Sequence, residues 1–103
     1  MQFNAYRNAD AGSRKRVPYL LTVQSDLIDS ARTCVVVPLI TLERAGMPVS
    51  SLMPALQVEG EMLVMDTLQL AAIPRTAIGP VVADLSHERS TIMAALDLLI
   101  SGI

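Results

Sequence analysis

The sequence is short of the residues that do chemistry and of the rings that usually fill cores. It has one cysteine, Cys34, one histidine, His87, and no tryptophan. A single thiol excludes an intrachain disulfide, and one thiol with one imidazole cannot make an ordinary zinc site. No glycine-rich phosphate loop and no GxSxG elbow occurs. Apolar runs fall well short of the roughly 20 residues that a spanning helix needs, and no signal-peptide pattern precedes them. The expectation is therefore a cytoplasmic chain with no membrane partner and no cofactor. Positive charge is also scarce: a net charge of −2 argues against direct nucleic-acid binding by phosphate neutralisation.

Apolar side chains are what the chain has instead. Of 103 residues 51% are hydrophobic and 17% charged, far from a disordered composition. The length suits one domain over residues 1–103. With Phe3, Tyr6 and Tyr19 as the only rings, the core must be built from Leu, Ile, Val and six Met. A small domain cannot hide this much apolar surface, so an interface and an oligomer are expected. Charge is uneven, with Arg7, Arg14, Lys15 and Arg16 clustered near Asp10; Ala11, Gly12 and Ser13 among them mark a solvated loop.

Periodicity places strands first. MQFNAY alternates and reads as a half-buried strand, and VPYLLTV as a second with Pro18 at its start. QSDLIDSAR is a polar loop that exposes Leu27 and Ile28. CVVVPLI is the strongest strand signal, in which Cys34 should be inert packing and Pro38 predicts a bulge or an edge. Residues 41–54 read as a long connection. ALQVEGEMLVM predicts a hairpin about Glu59-Gly60, DTLQLAAI another strand ended by Pro74, and RTAIGP a turn-rich connector.

The end of the chain is helical. Asp84 or Ser86 offers an N-cap, Glu88 sits in the first turn, and Leu85, Ile92, Leu96, Leu99 and Ile103 form a stripe. His87 is expected to be a hydrogen-bonded structural residue. The fold class that follows is mainly β with a C-terminal α-helix, a small antiparallel barrel or sheet. Catalytic candidates are weak: Asp26 with Asp29 and Glu59 with Glu61 read as turn residues, and nothing selects Arg32 with Ser30 or Thr33 as a phosphate site.

Two stretches taken together are specific. VQSDLIDSARTCVVVPL, from Val23 to Leu39, and VADLSHERSTIMAALDLLISGI, from Val82 to Ile103, resemble the CcdB family of plasmid and chromosomal toxins. MQF at the start, Ile73-Pro74 and Ile78-Gly79 extend the resemblance along nearly the whole chain. It implies an SH3-like barrel, a homodimer, and a toxin that is not an enzyme. Such toxins bind the breakage-reunion subunit of DNA gyrase and trap it on cleaved DNA, and a CcdA-type antitoxin neutralises them. Carried over by position, the gyrase-binding residues would be Ser25, Leu27, Ile28, Asp97, Ile100, Ser101, Gly102 and Ile103. The best-known members have Trp where this chain has Ser101. Two other readings stand beside this one, an endoribonuclease toxin of the MazF or PemK type and a non-poisoning member that only binds antitoxin.

Overall fold

The computed structural model describes residues 1–28, 32–46 and 49–102. Seven antiparallel strands form one sheet: β1 (Asn4–Asn8), β2 (Tyr19–Thr22), β3 (Thr33–Thr41), β4 (Ala55–Val58), β5 (Glu61–Met65), β6 (Ala71–Pro74) and β7 (Ile78–Asp84). The order is β4-β5-β3-β2-β1-β7, with β6 also on β3. A short helix α1 (Leu42–Ala45) follows β3, and the long helix α2 (Arg89–Ser101) closes the chain. The sheet curls into a half-barrel around α2, so the mainly β architecture with a C-terminal helix is the one observed.

Alternation along the strands explains why the sheet has two apolar faces. Ala5, Leu21 and Val37 stand in register across β1, β2 and β3, as do Tyr19, Leu39 and Met65 across β2, β3 and β5. These side chains meet Ile92, Ala95 and Leu96 of α2, with Phe3 and Leu85, in the main core. The opposite face carries Leu20, Cys34 and Val36 in one cluster and Ile40, Met53 and Val64 in another. Cys34 is buried there as a packing residue.

Pro38 lies in the most central strand, against the expectation of an edge or a bulge. On one side β2 pairs without interruption with Val36–Leu39 of β3, Leu20 standing opposite Pro38. On the other, β5 pairs with Leu39–Thr41 and β6 with Thr33–Val36, so two strands running the same way share that edge. Pro38 faces the gap between them, and its carbonyl accepts the Asp66 N–H at 2.9 Å. A missing N–H costs no ladder bond where no strand stands opposite.

That gap also corrects the reading of DTLQLAAI as one strand. Thr67–Gln69 form a 3₁₀ turn, Thr67 is buried and bonded to the Met65 carbonyl, and only Ala71–Pro74 are extended. RTAIGP is likewise more than a connector, since a turn at Arg75–Ala77 leads directly into β7, which the sequence reading missed. Gly79 and Pro80 look like turn residues, but β7 is a sheet edge paired only to β1, where a Pro is tolerated. Gly79 is required by space, because a Cβ there would sit 2.6 Å from the Arg7 carbonyl oxygen.

Three smaller differences follow local geometry. Residues 1–3 precede β1, and Phe3 enters the core from a left-handed backbone at φ 64°. Asp84 accepts the Ser86 N–H at 2.9 Å and so turns the chain into a 3₁₀ turn at Ser86–Glu88, whose N-cap is Leu85, while α2 begins only at Arg89. His87 is exposed on that turn and is not the hydrogen-bonded structural residue expected. The hairpin about Glu59-Gly60 is as expected, with φ of 50° and 81° marking a type I′ turn. The basic loop folds back on itself: Arg14 donates to the Asn8 and Ala9 carbonyls, and Asp10 accepts from Ser13 and Gly12.

Candidate functional site

The loop after β2 is a 3₁₀ turn over Asp26–Ile28. Ser25 holds it from within, its hydroxyl accepting the Leu27 N–H at 3.2 Å and its carbonyl accepting the Ile28 N–H at 3.0 Å. Asp26 ties it to the N-terminus by accepting the Gln2 N–H at 2.8 Å. A turn so fully bonded has no use of its own for large apolar side chains. Yet Leu27 is 95% exposed and Ile28 55%.

The last turns of α2 stand beside this loop. Ile92, Ala95 and Leu96 anchor the helix in the core, which leaves Asp97 and Ile100 on the outward face, Ile100 80% exposed. Ser101 donates its hydroxyl to the Asp97 carbonyl at 2.7 Å. Gly102 ends the helix in the left-handed conformation at φ 73°, its N–H bonded to the Leu98 carbonyl, as a terminating glycine does. Among the described residues, nothing beyond its own helix backbone and chain neighbours lies within 4 Å of where its Cβ would be. The conformation, not crowding inside the chain, calls for glycine there.

Between the loop and the helix runs an open groove of about 460 Å³. Ser25 and Ile28 form one rim, Asp97 and Ile100 the other, and Val23, Val35, Leu70, Met93 and Leu96 the apolar floor. Four of the eight residues assigned from the sequence thus share one groove, and Leu27, Ser101 and Gly102 flank it. Ile103 lies outside the described residues. Gln2, Val23, Gln24, Val35, Leu70, Met93 and Leu96 also line the groove and were not assigned; of these only Leu70 falls outside the stretches that carry the family resemblance.

Exposed apolar side chains around a shallow groove suit a contact with another macromolecule. Asp97 is the one charged side chain among the described residues of the groove lining. Among the described residues no three His, Cys, Asp or Glu stand together as a metal site needs, and no helix is long and apolar enough to cross a membrane. Of the weaker candidates, Asp29 and Ser30 are outside the described residues. Arg32 and Thr33 are exposed at the start of β3. Glu59 and Glu61 flank the hairpin glycine, Glu59 in the turn and Glu61 at the start of β5 opposite Val58.

The family model described as CcdB protein matches residues 2–102. The chain belongs to the CcdB family, and that membership points to the toxin half of a toxin–antitoxin pair.

Proposed function

We propose that this protein is a toxin that binds the breakage-reunion subunit of DNA gyrase as a homodimer and holds the enzyme on cleaved DNA. A CcdA-type antitoxin neutralises it in the cytoplasm. It performs no bond-making of its own; it acts by binding one conformational state of its target more tightly than the others.

The observation that carries this reading is the convergence of two distant stretches, Ser25–Ile28 and Asp97–Gly102, on one exposed apolar rim. Within these stretches the family resemblance assigns Ser25, Leu27, Ile28, Asp97, Ile100, Ser101 and Gly102 to the gyrase contact. Burying Leu27 and Ile100 against a partner is worth about 1–2 kcal/mol each. Ser101 contributes little area beside them, because its hydroxyl is turned back on the helix carbonyl of Asp97.

The test is a purified gyrase reaction on supercoiled DNA. Cleaved DNA should accumulate with the wild-type protein and fail to do so with Leu27→Ser or Ile100→Ser. Both variants should unfold within about 0.5 kcal/mol of the wild type, since exposed positions carry little stability. Intact gyrase turnover with degraded RNA would replace this reading by the ribonuclease one. Inertness in both assays with tight antitoxin binding would leave the non-poisoning one.

A further inference from the structure

Strand β2 leaves the sheet before its partner does. Thr22 stands opposite Val36, and one more backbone bond follows, from the Val23 N–H to the Val35 carbonyl at 3.1 Å. A regular antiparallel bridge would be completed by the Val35 N–H on the Val23 carbonyl. That carbonyl instead accepts from the Gln2 side chain at 3.3 Å, and the Val35 N–H goes to Gln24 Oε1 at 3.2 Å. The far end of the same amide, Nε2, donates to the Ile28 carbonyl at 2.5 Å.

The Gln24 side chain therefore does the work of a peptide unit. It takes one ladder bond from β3 and gives one to the last residue of the exposed turn. Its orientation is fixed by its neighbours, because a flipped amide would set donor against donor at Val35 and acceptor against acceptor at Ile28. Ser25 shapes the turn from inside, but neither of its bonds reaches the sheet. Two side chains among the described residues tie the turn to its surroundings, Gln24 to β3 and Asp26 to Gln2.

We propose that Gln24 is the positioning residue of the docking rim, holding Leu27 and Ile28 at a set distance from Ile100 across the groove. This rests on the gyrase-binding reading above, and it gives a groove-lining residue a role in affinity that acts through the rim it holds. A rim held in place avoids the ordering cost that a loose loop meets on binding.

Two variants separate the roles. Gln24→Met keeps the length and removes both bonds. Hydrogen exchange at the Val35 and Ile28 amides should quicken about tenfold while Leu21, Leu39 and Leu63 stay protected. Affinity for the purified breakage-reunion subunit should fall about tenfold. Gln24→Glu keeps the acceptor for Val35 but sets a carboxylate against the Ile28 carbonyl. Its affinity relative to wild type should recover as the pH falls toward about 5, where the carboxyl gains the proton it can donate. A mere space-filling role would give no such recovery. Unchanged exchange and unchanged affinity in Gln24→Met overturn the proposal. If the wild type itself fails to bind gyrase, the proposed function falls, and the exchange rates alone decide whether Gln24 holds the rim.

Discussion

Two glycines show how one residue type serves different needs. Gly79 lies against the Arg7 backbone, so Gly79→Ala forces β7 away from β1 and should cost about 2 kcal/mol, read as a lowered unfolding midpoint in urea. Gly102 has open space around it and needs only its positive φ, so Gly102→Ala should cost about 1 kcal/mol and leave the fold intact. A loss of gyrase binding much larger than that would mean the partner approaches its backbone closely. Asp66 offers a pH test. Burial pushes its carboxyl above the ordinary 3.8, so the folded chain takes up this proton at higher pH than the unfolded chain. Burial penalises its charged form, and stability from this group rises as the pH falls through the folded value. Asp66→Asn should therefore raise the melting temperature at pH 7, with the gain vanishing below about pH 3.8. Asp84 has the opposite sign, since the Ser86 N–H holds its carboxyl below the ordinary value and the stability it adds is lost in acid.

At the scale of elements, the hairpin of β4 and β5 is set by its turn. Both central residues have positive φ, and Glu59 meets this at some cost because its side chain gains nothing locally from the left-handed region. Glu59→Asn should stabilise the protein by about 0.5–1 kcal/mol, measured by chemical unfolding, because Asn tolerates that conformation. Helix α2 is placed by a different means. Its α-helical first turn has no side-chain cap, and the preceding 3₁₀ turn, entered through the Asp84–Ser86 bond, brings it in from β7. What holds it is burial of Ile92, Ala95 and Leu96, which also settles which face is left for Asp97 and Ile100.

At the scale of the whole molecule, the exposed rim is where sequence variation should act on function without touching the fold. Ser101 is exposed at the end of α2, at the position where the resemblance puts the Trp of the best-known members. A large ring at an interface anchor is commonly worth about 2 kcal/mol. Ser101→Trp should thus tighten gyrase binding roughly 30-fold, measured by titration against the purified subunit, with an unchanged melting temperature. A two-fold dimer would present two such rims together, which suits a partner that is itself symmetric. Sedimentation of the free protein tests that arrangement.

The sequence by itself determined the mainly β class, the hairpin turn, the exposed loop after β2 and the C-terminal helix, because each is carried by a local signal: alternation, a positive-φ pair, a polar loop, a stripe. It also named the rim residues, through two stretches whose family likeness is specific. Tertiary structure decided what depends on partners far along the chain. Pro38 could stand in the central strand only because β5 and β6 leave a gap opposite it, and Gly79-Pro80 could be a strand only because β7 is an edge. The groove, and Gln24 as the tie between turn and sheet, exist only once α2 packs beside the loop and β3 outruns β2. Hydrogen bonds and burial between distant residues leave no periodicity to read.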